Sequence, residues 1–99
     1  MQRPDVIERL KSAERGLKSI GVGSLFLFGS HARNEANADS DIDLFVDPAE
    51  GARFGFDAFM ESFELIQRAF PGAEIGFDTR KGIIPQFRPG IEADAIRVF

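Results

Sequence analysis

The fold of this chain is decided by one stretch of its sequence, GSHARNEANADSDIDL at residues 29–44. An apolar run, Ser24–Phe28, leads into this stretch and is typical of a buried strand. In Asp41–Val46, polar and apolar residues first alternate and then become apolar, which predicts a second strand. Between the strands, His31–Ala36 has room for one or two helical turns, and Asn37–Ser40 has turn chemistry. The stretch therefore predicts a strand, a short helix and a second strand in direct succession.

Two aspartates open the second predicted strand. Side chains alternate along a strand, so Asp41 and Asp43 point to one face, about 7 Å apart, while Ile42 and Leu44 face the core. Two carboxylates on one face repel each other unless a positive charge lies between them. Hard oxygen ligands without nitrogen or sulfur select Mg²⁺ or Mn²⁺. The pair is therefore a candidate metal site.

The residues at the end of the first strand favour a bound phosphate. Gly29 allows the backbone to approach a ligand closely, and the free N–H groups of the following helix attract an anion. Ser30 adds a hydroxyl group at the same place. We expect a third carboxylate from a neighbouring strand, and the predicted strand Glu74–Asp78 offers Asp78. Asp78 shares a strand face with Gly76, which leaves that surface open.

Helical periodicity recurs on both sides of this region. We predict one helix over Asp5–Ser19 and another over Asp57–Phe70, with the aspartate as its cap. The second helix carries an apolar stripe that we assign to the core: Phe59, Phe63, Ile66 and Phe70. We expect a loop at Thr79–Gly82, short helical pieces in the proline-containing tail, and an edge strand at Ala95–Phe99. This succession of helices and strands indicates an α/β (α+β) domain, a small mixed β-sheet with helices packed on it.

The composition excludes several classes of protein. The chain has 99 residues, a net charge of −4 from 12 Lys and Arg against 16 Asp and Glu, no cysteine and one histidine. Without cysteine there is no disulfide framework, thiolate zinc site or cysteine nucleophile. The acidic balance disfavours a broad nucleic-acid-binding face, and neither a signal peptide nor a membrane span is visible. We therefore expect a single cytoplasmic domain over residues 1–99, without membrane or direct nucleic-acid contacts.

The motif within residues 29–44 resembles that of a known enzyme superfamily. Gly-Ser within Gly-Ser-x-Ala-Arg, followed after ten residues by Asp-x-Asp within Ser-Asp-Ile-Asp-Leu, looks like the nucleotidyltransferases of the DNA polymerase β type. The short chain is most similar to the minimal nucleotidyltransferases (MNT), the antitoxin partners of HEPN toxins in prokaryotic toxin–antitoxin pairs. Asn34 stands where these proteins commonly have glycine, and asparagine also tolerates turn geometry.

The resemblance implies an activity and a set of ligands. It implies transfer of AMP from ATP, with release of pyrophosphate, to a tyrosine hydroxyl of the HEPN toxin, which silences the toxin. Two divalent ions, Mg²⁺ or alternatively Mn²⁺, would be held by the residues that match the acids of the family: Asp41, Asp43 and Asp78. The nucleoside triphosphate would lie over Gly29 and Ser30, with Arg33 as a further contact.

Two other functions are compatible with the same residues. A non-catalytic antitoxin would neutralise its toxin by stoichiometric contact through Phe54, Phe56 and the C-terminal edge. A nucleotidyltransferase for a small molecule would need help from homo-oligomerisation. Three neighbouring acids favour an enzyme, because a pure binder gains nothing from like charges held together. A calcium loop over residues 39–50 is disfavoured, since Leu44 occupies the position that requires a sharp-turn glycine.

Several candidate residues also have purely structural interpretations. Ser30 can cap the short helix, and Asp78 can form a turn before Thr79. We expect His31 to point to solvent and Arg80–Lys81 to lie in a solvated loop.

Overall fold

Five helices and four strands follow one another along the chain, and the computed structural model describes all of residues 1–99. The helices are α1 (Arg3–Lys11), α2 (Glu14–Ile20), α3 (Gly29–Ala32), α4 (Phe56–Ala69) and α5 (Arg88–Asp94). The strands are β1 (Val22–Phe28), β2 (Ile42–Pro48), β3 (Ile75–Thr79) and β4 (Ile96–Arg97), and a 3-10 turn spans Arg80–Gly82. None of the helices has the length and apolar composition that crossing a bilayer requires.

The four strands form one mixed sheet in the order β3-β2-β1-β4. β1 runs antiparallel to both of its neighbours, β2 and β4, whereas β2 and β3 run parallel. A parallel pair needs a long crossover connection, which α4 supplies here. β4 pairs with β1 through two residues only, so it is a short edge strand. The α+β class, the mixed sheet and the C-terminal edge strand that the sequence predicts are confirmed.

The single helix predicted over Asp5–Ser19 is wrong, because the structure has two helices separated at Ser12 and Ala13. The Ser12 hydroxyl donates to the carbonyl oxygen of Arg9 at 2.6 Å. The Ala13 N–H donates to the carbonyl oxygen of Leu10, three residues back, at 3.0 Å. Serine side chains compete with the helical hydrogen-bond ladder in this way. The apolar spacing continues through the region, but a local serine hydrogen bond ends the first helix early.

The main hydrophobic core lies on the face of the sheet that α1, α2 and α4 cover. β1 contributes Leu25 and Leu27, and β2 contributes Ile42, Leu44 and Val46, at alternate positions of each strand. Burial of a side chain of this size contributes about 1.5–3 kcal/mol relative to exposure. The same alternation places the intervening residues of both strands on the opposite face.

α4 begins one residue earlier than predicted, with a glycine rather than an aspartate at its cap. Its apolar stripe divides in two. Ile66 and Phe70 are buried in the core, as predicted. Phe59 and Phe63 are half-buried and lie against Phe77 of β3, with ring centroids 4.9 and 6.2 Å away. Ile66 and Phe70 therefore belong to the core, whereas Phe59 and Phe63 cover β3.

The opposite face of the sheet carries a second, aromatic cluster. Phe26 of β1 stacks on Phe45 of β2 with ring centroids 4.7 Å apart, and Phe28 lies 5.8 Å from the same ring. Phe45 is completely buried. Asp43 precedes Phe45 by two residues and shares this face. The carboxylate of Asp43 thus lies beside this cluster of phenylalanine rings.

We predict that Leu44→Ala lowers the free energy of unfolding by roughly 2–5 kcal/mol, because it leaves a cavity at a fully buried position. The control Ile84→Ala alters a side chain that is 53% exposed and should change this free energy by less than about 0.5 kcal/mol. Equilibrium unfolding in urea measures both values. Equal losses in the two variants would contradict the assignment of the core to this face.

Candidate functional site

Asp43 lies at the centre of the second face, where three strands meet. It is paired with Phe28 at the end of β1 on one side and with Gly76 of β3 on the other. The polypeptide leaves β1 at Phe28 and turns directly into α3, so the first residues of α3 lie over the carboxylate of Asp43. The predicted short helix is present, but it spans Gly29–Ala32 rather than His31–Ala36, and its first residue lies against the predicted acid.

Two glycines enclose the carboxylate of Asp43. Gly29 has a φ of +76°, a left-handed conformation that favours glycine, and a Cβ atom at this position would collide with Oδ2 of Asp43. A Cβ atom at Gly76 would lie 2.7 Å from Oδ1 of the same carboxylate. Each carboxylate oxygen of Asp43 thus occupies the space that a side chain at position 29 or 76 would fill.

Asp41 lies immediately before β2 and is exposed, whereas Asp43 is half-buried. Burial raises the pKa of Asp43, and the nearby carboxylate of Asp41 raises it further. His31 and Arg33 act in the opposite direction and lower the pKa of Asp43. The predicted pair of neighbouring carboxylates is therefore brought together, in a setting where a bound cation would relieve the repulsion.

Ser30 is the second residue of α3, and the cap position belongs to Phe28, so Ser30 is not the helix cap. Its backbone carbonyl accepts a hydrogen bond from the N–H of Glu35 at 2.9 Å, which closes the turn after the helix. Asn34, which replaces the expected glycine, has a φ of +59° and meets the turn geometry as predicted. The hydroxyl of Ser30 makes no hydrogen bond within the protein, and its contact with a nucleotide, like that of Gly29, stays a prediction.

Asp78 lies further along the sheet than the pair. It is opposite Phe45 on β2, whereas the position opposite Asp43 is Gly76. Oδ1 of Asp78 accepts a hydrogen bond from the N–H of Thr79 at 2.8 Å, at the start of the 3-10 turn. The structure contains no cluster of three Asp, Glu or His side chains arranged to hold a metal ion. It therefore does not bring Asp78 together with the pair, and metal binding by Asp78 stays a prediction.

A divalent cation fits the pair better than it fits the predicted triad. Asp41 and Asp43 offer hard oxygen donors, and neither is neutralised by an ion pair. Carboxylates of this kind suit Mg²⁺ or Mn²⁺. The residues present thus fit one ion at the pair.

Arg33, the predicted nucleotide contact, is engaged by two acids. Its Nε donates to Glu35 at 3.1 Å, and its Nη1 lies 3.5 Å from Asp94 of α5. The Arg33 side chain is 44% exposed, so these pairs are weak and open to exchange with another anion. Contact between Arg33 and a nucleotide stays a prediction.

Arg80 does not lie in a solvated loop, so that expectation is wrong. Its guanidinium carbon lies 4.9 Å from the ring centroid of Phe26 and 4.8 Å from that of Phe45. The guanidinium also donates to Asp47 through Nε and Nη2, at 2.8–3.1 Å, and to Glu92 of α5. Hydrogen bonding to Asp47 raises the pKa of Arg80. The signal in the sequence is the alternation that places Phe45 and Asp47 on one face of β2.

The expectation that His31 points to solvent is also wrong. His31 is 5% exposed, and its Nδ1 has no hydrogen-bond partner. α3 packs against both β1 and β2, and a helix of one turn on a sheet has little surface left for solvent. No pattern in the sequence distinguishes this histidine from an exposed one.

Comparison with known proteins shows the family of this chain. The family described as "Nucleotidyltransferase domain" matches residues 7–84. This chain belongs to the nucleotidyltransferase domain family. A Methanocaldococcus jannaschii protein named "Putative protein adenylyltransferase" is 33% identical to this nucleotidyltransferase over 96 residues, which cover 95% of each chain.

Two solved structures share the fold of this nucleotidyltransferase. One, described as "putative minimal nucleotidyltransferase", aligns with a TM-score of 0.78 and 25% identity over 97% of this chain and 95% of its own. A Sulfolobus solfataricus protein described as a "putative nucleotidyltransferase" aligns with a TM-score of 0.55 and 15% identity, over 96% and 80% of the two chains. The first alignment confirms the minimal nucleotidyltransferase fold predicted from the motif.

We predict that Asp43→Asn stabilises the metal-free protein at about pH 7. The folded state raises the pKa of Asp43, so ionisation of this carboxyl opposes folding above that pKa. As the pH falls towards the ordinary value of 3.8, wild-type Asp43 takes up its proton and the advantage of the variant disappears. Urea unfolding as a function of pH measures the difference. Asp39→Asn, at an exposed position, is the control, and an equal gain in that variant would contradict the assignment.

We predict that Gly29→Ala destabilises the protein more than Gly51→Ala does. Both glycines have a φ near that of a left-handed helix, +76° and +77°, so backbone strain of roughly 1–2 kcal/mol is common to both variants. Only at Gly29 does the added methyl group meet the carboxylate of Asp43, whereas nothing lies near Gly51. Thermal unfolding measures the two losses. Matching losses would show that Gly29 is not in close contact with Asp43.

Proposed function

We propose that this nucleotidyltransferase transfers AMP from ATP to a tyrosine hydroxyl of a partner protein, a HEPN-type toxin, and thereby acts as its antitoxin. The observation that carries the proposal is the acid pair beside the glycine-serine turn, with Gly29 closing directly over Asp43. The name of the Methanocaldococcus jannaschii relative supports a protein as acceptor. The resemblance of residues 29–44 to the minimal nucleotidyltransferases supports the HEPN partner.

The residues around the turn have distinct roles in this proposal. Gly29 lets the triphosphate approach the backbone, and the hydroxyl of Ser30 donates a hydrogen bond to it. Arg33 exchanges its surface acids for phosphate oxygens. Asp41 and Asp43 hold Mg²⁺, which when bound offsets the negative charge on the transferred group. The site thus positions the nucleotide and balances its charge, which is most of what phosphoryl transfer requires of a protein.

The chemical balance of the step is simple. A bond forms between the acceptor oxygen and the α-phosphorus, the bond from that phosphorus to the bridging oxygen breaks, and pyrophosphate leaves while the hydroxyl proton is released. These 99 residues contain no tyrosine, so the acceptor tyrosine lies outside them. In this proposal the tyrosine belongs to the HEPN-type partner, so transfer requires a complex of the two proteins.

We expect a HEPN-type partner incubated with this protein and Mg-ATP to gain about 329 Da for each AMP transferred. Asp41→Asn should abolish the gain while leaving association of the two proteins intact, because it removes a metal ligand without changing the shape of the surface. Asp39→Asn, an exposed acid of the preceding turn, is the matched control and should retain activity. Intact-mass spectrometry of both chains measures the gain.

The other outcomes identify the alternative functions. An unmodified toxin that wild type and Asp41→Asn inhibit equally would refute the enzyme and leave a stoichiometric antitoxin. Pyrophosphate release with a small hydroxylated acceptor, and none with the protein, would refute the protein acceptor.

A further inference from the structure

We propose that this protein holds a single divalent ion at its nucleotide, through Asp41 and Asp43, and that position 76, not Asp78, is where the sheet can supply a third carboxylate. The inference rests on the proposed function, because it concerns how many metal ions the same site takes. Glycine at position 76 makes the site a two-acid site.

The register of β2 and β3 places position 76, and not Asp78, beside Asp43. In this parallel pair Asp43 is opposite Gly76, and Phe45 is opposite Asp78. Paired residues of neighbouring strands project to the same face, so a side chain at position 76 would lie directly beside the carboxylate of Asp43. Asp78 is two residues further along β3, about 7 Å away from that position. The sheet therefore offers its neighbouring acid position at residue 76.

Asp78 is instead engaged by a hydrogen bond at the start of the 3-10 turn. Its Oδ1 accepts the hydrogen bond from Thr79, and the hydroxyl of Thr79 accepts one from the N–H of Gly82 at 3.1 Å. A Cβ atom at Gly82 would collide with the Asp78 carboxylate. Asp78 is thus packed into the 3-10 turn at the end of β3. Its side chain has a structural role there that is independent of a metal ion.

Position 76 can take an acid if the carboxylate of Asp43 moves. The nearest atom to a Cβ at this position is Oδ1 of Asp43, at 2.7 Å, and the next is 3.8 Å away. That oxygen is the end of a side chain that can rotate, so an added aspartate displaces a carboxylate rather than the backbone. A cation shared by the two carboxylates would offset their repulsion.

The experiment is a titration of Mn²⁺ in the presence of one equivalent of a non-cleavable ATP analogue, followed by the electron paramagnetic resonance signal of free Mn²⁺. We expect wild type and Asp78→Asn each to bind one ion with the same affinity. Gly76→Asp should bind a second ion. Gly76→Asn, of equal size but uncharged, is the matched control and should bind one.

Two results would overturn the proposal. A wild type that takes two ions, and loses one in Asp78→Asn, would establish the three-acid site with Asp78. A folded Gly76→Asp variant that binds no second ion would show that position 76 is not where the sheet can supply a third carboxylate. If Gly76→Asp does not fold, as judged by thermal unfolding, the comparison of wild type with Asp78→Asn still decides the role of Asp78.

The ion count is separate from catalysis. A protein that transfers AMP with two bound ions would refute this inference and keep the proposed function. A protein that binds one ion but transfers no AMP would refute the proposed function and keep this inference.

Discussion

The structure depends on the register in which β1 pairs with β2. With Leu27 opposite Leu44, both strands present leucine to the helical layer, and with Phe28 opposite Asp43, the end of β1 meets the acid of β2 on the other face. A slip of one residue in β2 would exchange the two faces of that strand and bury the carboxylate of Asp43 in the core. The hydrophobic core therefore fixes the position of the site, since both are consequences of one pairing.

On the face of the sheet opposite the main core, the side chains pack around the guanidinium of Arg80 rather than against a layer of helices. The guanidinium of Arg80 lies over the rings of Phe26 and Phe45 and donates hydrogen bonds to Asp47 and Glu92. Guanidinium groups suit such a place, because they stack on rings and still bind carboxylates through a planar fork of donors. The contact fastens the end of β3 to β2. The neighbouring acids Asp41 and Asp43, four and two residues before Phe45, form no ion pair.

Much of this architecture is legible in the sequence, and the exceptions have physical causes. The glycine-serine turn, the strand with Asp43 and the α+β class follow from alternation and turn chemistry, which are local, although Asp41 lies just before that strand and not within it. The break at Ser12 and the burial of His31 depend on individual hydrogen bonds and on packing that periodicity does not encode. The place of Asp78 depends on the register between β2 and β3. Two acids on different strands share a face by alternation, but only the pairing decides whether they are neighbours.

α5 differs from the rest of the molecule in how it is held. None of its residues is buried, and its side chains are held by ion pairs from Arg80 to Glu92 and from Arg33 to Asp94, with hydrogen bonds from Arg88 to backbone carbonyls. Salt screens such exposed pairs, whereas it hardly affects buried leucine. The helix is thus the segment whose amide hydrogens exchange through local opening, at a free energy well below that of global unfolding. Ionic strength can loosen this side of the site while the sheet beneath it stays folded.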